Sequence, residues 1–197
     1  MQQELTVNDG FDFTHHMRIV CEDIVSRLEA FHQVDLDLVA VGFSQARSPK
    51  RQGMYATLTP LRFDNGRLHS VRRGRKWAMQ KIKGSNGREM LYILNFYLPR
   101  FLNLPLREKL DTIIHELWHI GPGFDGDIRR FGNSRYAHGP SKKQYDKQVA
   151  ALVDQWLAQS PSESAWGFLR NNFNELSARY GRIIGNKFPA PKLYRVD

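Results

Sequence analysis

A His-Glu-x-x-His pentapeptide at residues 115–119 constrains this chain more than any other feature. On a helix, residues four apart lie on the same face, so His115 and His119 can both reach one metal ion. Imidazoles at this spacing are typical zinc ligands, and the Glu116 carboxylate beside them can take a proton from a water on the metal. The pentapeptide therefore predicts a metal site, provided that it lies on a helix.

The flanking sequence predicts that helix. Pro105 stands near the first helical position, where a missing N–H has no cost, and Gly121-Pro122 would end the helix. The apolar residues between them recur at helical spacing: Leu106, Leu110, Ile113, Ile114, Leu117 and Ile120. At about 100° per residue, this apolar stripe lies on the side of the helix opposite to His115 and His119. We therefore expect the two histidines to face away from the core and to bind one Zn²⁺ per chain.

The third metal ligand has three candidates in the sequence. A catalytic zinc usually has three protein ligands and an open fourth position. Asp125, Asp127 and His138 all follow the pentapeptide. We favour His138, whose neutral imidazole would complete a three-histidine site, over the two aspartates. Asp125 or Asp127 would otherwise hold a ligand imidazole in place through its second nitrogen.

The same residues predict a hydrolytic mechanism. Bound zinc lowers the pKa of its water to about 7 and polarises a carbonyl group. Glu116 would accept the proton of the attacking water and pass it to the leaving amine. Tyr136, Arg135 and Tyr145 are close enough in sequence to be candidate donors to the oxyanion.

These motifs resemble those of a known family. The pentapeptide followed by His138-Gly139-Pro140 is similar to the SprT-like zincin metallopeptidases. Residues 124–127 and 129–132, with Tyr136, resemble more closely the metallopeptidases encoded in phage and prophage genomes. The resemblance is strongest over roughly residues 90–150. Unlike many SprT-like proteins, this chain has no cysteine zinc ribbon, because Cys21 is its only cysteine.

The resemblance implies a zincin fold, a zinc endopeptidase activity and the ligands His115, His119 and His138. It also implies that the strand at residues 92–97 forms the sheet edge above the metal. An extended peptide would pair with the free backbone groups of that edge and lie across the zinc.

The pattern of the whole chain predicts one α+β, zincin-like domain over residues 1–197, with a small antiparallel or mixed sheet, the metal helix and backing helices. Helices are predicted at about residues 12–32, 105–120, 141–157 and 163–180. Strands are predicted at about 36–44, 54–63, 68–71 and 90–98. Asp64-Asn65-Gly66 predicts a hairpin turn between the second and third strands. Residues 72–88 are predicted to form a mobile basic loop, and the C-terminal extension 182–197 to be extended or irregular.

Composition limits the class of protein. The hydrophobic fraction of 41% and the charged fraction of 25% are ordinary for a globular protein. No apolar run is long enough for a membrane span, and residues 1–10 have no apolar signal segment, so we expect no membrane partner and a cytoplasmic location. A single Cys excludes an intramolecular disulfide and a four-cysteine zinc site.

Positive charge is concentrated in one block, residues 47–88. It holds twelve Lys or Arg and one acidic residue, whereas the whole chain has a net charge of +9. Such a block could follow a phosphate backbone, with aromatic side chains available to stack on bases. The candidate nucleic-acid contacts are Arg72, Arg73, Arg75, Lys76, Trp77, Lys81 and Lys83.

Two functions remain open from the sequence. The first is a zinc-dependent peptidase, which could act on proteins associated with nucleic acid. The second is a nucleic-acid-binding protein whose zinc site is structural or vestigial. A fourth protein ligand would favour the second function, because structural zinc sites close the position that catalytic sites leave open.

Overall fold

The computed structural model describes residues 10–46, 53–84, 87–131 and 141–196. Its helices are α1 (Phe13–Arg27), α2 (Leu106–Trp118), α3 (Lys142–Ala158), α4 (Glu163–Trp166) and α5 (Phe173–Tyr180). Its strands are β1 (Phe11–Asp12), β2 (Val39–Gln45), β3 (Ala56–Pro60), β4 (His69–Arg72), β5 (Arg75–Met79), β6 (Tyr92–Leu98), β7 (Ile183–Ile184) and β8 (Leu193–Val196). The predicted α+β class is confirmed. None of the helices in these residues is both long and apolar enough to cross a bilayer.

A central sheet with the order β2-β6-β3 organises the fold. Strand β6 is parallel to β2 and antiparallel to β3. The prediction that residues 92–97 form the sheet edge is wrong, because β6 lies in the middle. Its residues are buried on both faces, with Leu94 and Ile93 on opposite sides, as expected of a central strand. The edges are β2 and β3, and β3 ends at Pro60, a residue that cannot donate a hydrogen bond to another strand.

The main core lies between one face of this sheet and helices α1, α2 and α3. Helix α1 contributes the predicted apolar stripe, although the helix ends at Arg27 and a separate 3₁₀ turn, Glu29–Phe31, follows. Helix α3 begins as predicted, with the Ser141 hydroxyl accepting from the Gln144 N–H. The buried residues of α3 are Tyr145, Val149, Leu152, Val153 and Trp156. The core side of the sheet therefore carries the metal helix.

A smaller apolar cluster covers the other face of the central sheet: Ala40, Leu61, Ile82, Met90 and Ile93, with Met79 and Phe188 packed against it. Gly42 is required here because a Cβ at this position would lie 2.8 Å from the Phe188 ring. The C-terminal segment, predicted to be extended or irregular, is thus held against the sheet. Its strands also pair, β7 with β1 and β8 with β5.

Strands β4 and β5 of the basic block form a second sheet with the C-terminal strand β8, in the order β4-β5-β8, whereas β3 of the same block belongs to the central sheet. Two predictions are therefore wrong: the segment around residues 68–71 does not return along β3, and residues 72–88 are not simply a loop. The turn at Asp64–Gly66 closes only an isolated bridge between Phe63 and Arg67. The hairpin forms instead at Arg73-Gly74, where φ is +51° and +71°. Positive φ at both central residues is the type I′ geometry that suits a two-residue β-hairpin.

The helix predicted over residues 163–180 is interrupted. A 3₁₀ turn, Gly167–Arg170, separates α4 from α5. Asn172 then begins α5 with a capping box, in which its side chain and that of Glu175 each accept a backbone N–H. Gly181 ends this helix as predicted, at φ +78°.

Candidate metal centre

Helix α2 holds the pentapeptide as predicted. Leu110, Ile113 and Leu117 are buried, which fixes the orientation of the helix against the sheet. The regular helix ends at Trp118, before the predicted Gly121. His119 follows with φ −68° and ψ −20°, so the helical spacing from His115 to His119 is kept. Both imidazoles consequently project from one side of α2.

The Nε2 atoms of His115 and His119 are 3.1 Å apart. Two ligand nitrogens at about 2.05 Å from a tetrahedral zinc would be about 3.3 Å apart. The observed separation is close to that value, and the two rings lie nearly perpendicular, at 83°. The pair therefore fits two positions of a tetrahedral metal site.

Tyr145 of α3 positions the pair. Its Oη lies 3.2 Å from His119 Nδ1 and 3.2 Å from the carbonyl oxygen of His115. The carbonyl can only accept, so the Tyr145 hydroxyl donates to it and can accept from the Nδ1–H of His119. This arrangement places the proton of His119 on Nδ1 and leaves the Nε2 lone pair directed toward His115.

Tyr145 was predicted as a donor to the oxyanion. Its side chain is 3% exposed, and burial raises the pKa of its hydroxyl well above the usual value. Because the hydroxyl already contacts both histidines, these contacts favour a positioning role. Tyr136 and Arg135, the other candidate donors, lie outside the described residues.

Glu116 points from α2 toward the edge strand. Its carboxylate is mostly buried, and Oε2 accepts a hydrogen bond of 2.8 Å from the Leu58 N–H of β3. Burial raises the pKa of Glu116 to about 7, although the Leu58 N–H acts in the opposite direction. Leu58 was not foreseen as a partner, because it precedes Glu116 by 58 residues.

A cleft of about 330 Å³ opens beside Glu116 and His115, between β3, α2 and α3. Its lining residues are Tyr55, Ala56, Asp111, Thr112, His115, Glu116, Asp146, Val149 and Ala150. The Tyr55 carbonyl accepts from the Tyr97 N–H of β6, and the Leu61 N–H donates to the Leu91 carbonyl just before β6. Since successive residues of a strand alternate in direction, the backbone groups of Ala56 and Leu58 point away from β6, toward the cleft.

Asp125 and Asp127 were predicted as alternative ligands or as partners of a ligand imidazole. Asp127 instead accepts from the N–H groups of Asn65 and Ile128 and forms an ion pair with Arg130. Burial alone would raise the pKa of Asp127, but these donors outweigh it and hold the pKa below its usual value. Asp125 accepts from the Asp127 N–H. Both carboxylates thus stabilise the loop that follows α2.

In the part of the chain that the structure describes, no three His, Cys, Asp or Glu side chains are grouped as a metal site. His138, the favoured third ligand, lies outside the described residues and stays a prediction.

Arg129 is a residue of the site that the sequence did not indicate. Its N–H donates to the His119 carbonyl at 2.7 Å and its Nε to the Trp118 carbonyl at 2.8 Å. Its guanidinium lies 3.7 Å from the centre of the Trp118 ring. Arg129 therefore satisfies carbonyl groups at the end of α2 and fixes the backbone that carries His119.

The candidate nucleic-acid contacts do not line this cleft. Arg72, Arg73, Arg75 and Lys76 are exposed on the β4–β5 hairpin. Trp77 is half-buried on β5, and Lys81 forms an ion pair with Glu89 beyond the end of that strand. Lys83 is exposed and pairs with Glu89 through a backbone bridge. The candidate contacts therefore lie apart from the cleft, although Tyr55 and Ala56 of the same block line it.

Comparisons with known proteins assign no family. No protein-family model matches the chain, and neither a curated protein nor a solved structure matches it. The resemblance to SprT-like metallopeptidases thus rests on the residues of the chain itself and stays a prediction.

Proposed function

We propose that the protein is a zinc-dependent peptidase. The observation that carries this proposal is the His115–His119 pair, with Nε2 atoms 3.1 Å apart beside the Glu116 carboxylate. With Tyr145 accepting from the Nδ1–H of His119, the lone pair of Nε2 on the same ring would bind the metal. Bound zinc would supply a Lewis acid and a water of lowered pKa.

His138 is the proposed third ligand. The described residues on either side of the segment 132–140 end beside the histidine pair. On one side, the Phe131 ring lies 6.0 Å from the Tyr145 ring. On the other, Ser141 caps α3 one turn before Tyr145. The described residues on both sides of the segment therefore lie near Tyr145, which contacts the pair, and this supports His138 as the third ligand.

Glu116 is the proposed general base. Its Oε2 is held by Leu58, which fixes the carboxylate at the mouth of the cleft and leaves Oε1 to accept a proton from water. Glu116 would then return this proton to the leaving amine. Burial raises the pKa of Glu116 and so favours the first transfer, the uptake of the proton from water.

The substrate is proposed to be an extended peptide on the β3 edge. The outward backbone groups of Ala56 and Leu58 can pair with a peptide strand, which is how extended peptides add to a sheet. Such a strand would cover the cleft and pair with the Ala56 groups and the Leu58 carbonyl, while the Leu58 N–H keeps its bond to Glu116. This edge replaces the one predicted at residues 92–97, so the mode of binding is kept and only the strand changes.

The proposal is tested first by metal content. Elemental mass spectrometry of the purified protein should give about one zinc per chain. H119A and H138A should lose the zinc, whereas H32A, a change of an exposed histidine outside the site, should retain it. A folded wild-type protein without zinc affinity would overturn the proposal.

Cleavage is then tested with E116Q. This variant keeps the shape of the side chain and all ligands, so zinc should remain while hydrolysis of an unstructured peptide library is lost. Loss of zinc in H119A but full cleavage by E116Q would keep the metal site and refute the proposed mechanism.

The alternative function, nucleic-acid binding with a structural or vestigial zinc, is favoured by one observation. Strands β4 and β5 of the basic block, with β8, form a sheet that exposes Arg72, Arg73 and Arg75. That surface can coexist with a peptidase.

A further inference from the structure

One face of the second sheet gathers arginine side chains around a tryptophan. The register places Arg72 opposite Arg75, and Trp77 opposite Arg195. Residues directly opposite each other, and those two apart on one strand, share a face. Arg72, Arg75, Trp77, Arg195 and Leu193 therefore lie on one side, which we call the arginine face. The opposite side carries Ala78, which is buried.

The charges of Arg72, Arg73 and Arg75 are not balanced within the described residues. Strands β4, β5 and β8 contain no Asp or Glu. Arg72 and Arg75 make no ion pair with any described residue, and neither does Arg73 in the adjoining turn. Like charges directly opposite each other on neighbouring strands destabilise a sheet. An anion that bridges them would remove this repulsion.

A groove of about 430 Å³ runs along this face. It is lined by Arg72, Arg73, Arg75, Trp77 and Leu193. Leu193 is 42% exposed, and the Trp77 ring is half-buried. The groove therefore combines cationic side chains with an accessible flat apolar surface.

We propose that the arginine face binds single-stranded nucleic acid. Arg72, Arg73 and Arg75 would contact successive phosphates, and a base would stack on Trp77. Guanidinium groups suit phosphate, and base–aromatic stacking does not depend on sequence. In a duplex the bases are already stacked on each other, so a duplex would use the arginines but not Trp77. This site is independent of the metal centre.

The structure also selects among the predicted contacts. Lys76 pairs with Val71 and lies on the opposite side of β5, while Lys81 is engaged by Glu89. Binding should therefore depend on Arg75 but not on its neighbour Lys76.

The test is binding of fluorescein-labelled dT20 to E116Q, followed by fluorescence anisotropy between about 50 and 200 mM salt. E116Q is used so that peptidase activity cannot degrade the sample, and the binding measurement does not depend on whether the peptidase proposal is correct. With three phosphate contacts, log K against log salt should have a slope of about −2. R72A/R75A should reduce that slope by about 1.4 and weaken binding at least tenfold at low salt.

Two further variants separate the contributions. W77L should weaken binding about tenfold without changing the salt slope, and W77F, which retains an aromatic ring, should restore most of it. K76A/R179A removes the same charge from exposed positions outside the arginine face and should change the affinity less than twofold. The melting temperature of each variant is measured in parallel.

Three results would overturn the proposal. The first is no binding of dT20 at 50 mM salt. The second is an equal loss of affinity in K76A/R179A and R72A/R75A, which would indicate attraction by net charge alone. The third is a duplex of the same length binding as tightly as dT20, with W77L and W77F both as tight as the parent.

Discussion

Tyr145→Phe is the sharpest test of how the metal centre is built. The change removes one hydroxyl that contacts His119 Nδ1 and the His115 carbonyl, each at 3.2 Å. The ring remains, and with it the packing of Tyr145 against both imidazoles. The substitution therefore isolates the hydrogen bonds from the apolar contacts.

Two effects are expected from Tyr145→Phe. Loss of the partner that orients a metal-binding histidine typically lowers metal affinity about 10–100-fold, which is about 1.4–2.7 kcal/mol. Stability should also fall by about 0.5–1.5 kcal/mol, because the hydrogen bond from the Tyr145 hydroxyl to the His115 carbonyl is lost.

The assay is a zinc titration of the metal-free protein in competition with a chromophoric chelator, together with urea unfolding of the same sample. Tyr194→Phe is the matched control, because Tyr194 is 49% exposed and lies on β8, in the second sheet. A zinc affinity of Tyr145→Phe within twofold of the wild type would refute the positioning role. A loss of stability with unchanged zinc affinity would show that Tyr145 supports the fold alone.

Three further predictions concern other parts of the molecule. Burial lowers the pKa of Lys109 to about 8, so between pH 8 and 10 the unfolded chain holds more protons on this group than the folded protein does. The wild type should therefore gain stability relative to Lys109→Met as the pH rises, and urea unfolding that gives the same stability difference at pH 7 and pH 9.5 would contradict this. Asp146 lines the cleft and makes no ion pair within the described residues, so its carboxylate can attract a basic side chain of the substrate. Asp146→Asn should therefore lower kcat/KM about two- to fivefold for peptides with Lys near the scissile bond, and leave it unchanged for the same peptides with Gln in place of Lys. Arg129→Ala keeps the backbone bond to the His119 carbonyl but removes the Nε bond to the Trp118 carbonyl and the contact with the Trp118 ring. It should destabilise the end of α2 by about 1–3 kcal/mol and lower zinc affinity, and Arg129→Lys, which lacks the planar guanidinium, should recover only part of each.

Local patterns predicted the elements that depend on local interactions. Helices α2 and α3 follow from apolar residues at helical spacing and from the Ser141 cap, and β6 follows from its apolar run. Each of these signals is contained within a few residues. The histidine pair and Glu116 were found for the same reason, since their geometry is set by one helix.

Elements that depend on distant partners were predicted less well. The β4–β5 hairpin turns at Arg73-Gly74, where Gly74 suits positive φ but Arg73 rarely adopts it, so the pair lacks the Asn-Gly or Asp-Gly signature of a two-residue hairpin. The edge position of β6 was implied by the family resemblance, and the sequence of β6 alone does not show that β3 pairs with its other side. Whether a strand lies at the edge or in the centre of a sheet depends on which strands pair with it, and the sequence of one strand does not contain that information.

Lys109 connects two features that the sequence did not predict, its own burial and the break between α4 and α5. Its ammonium is buried and donates to the carbonyls of Leu169 and Asn171, at 2.7 and 2.8 Å. Those carbonyls belong to the interruption between α4 and α5, where the sequence predicted a continuous helix. In an unbroken helix they would accept from their own backbone, and a lysine on α2 would have no reason to be buried. The interruption and the buried lysine therefore explain each other.

The pentapeptide determines which atoms can bind a metal, but contacts from elsewhere in the chain determine whether they are arranged to do so. Tyr145 sets the His119 proton from 26 residues away in sequence, and Leu58 holds Glu116 from 58 residues away. A chance pentapeptide on an exposed helix would have neither partner, because nothing would place a hydroxyl at Nδ1 and a strand edge at the carboxylate together. Their joint presence beside one cleft is the strongest structural argument that the three residues act as a site. Substitutions at Tyr145 should therefore affect zinc binding, because Tyr145 contacts His119. Substitutions on β3 should affect cleavage, because Leu58 contacts Glu116.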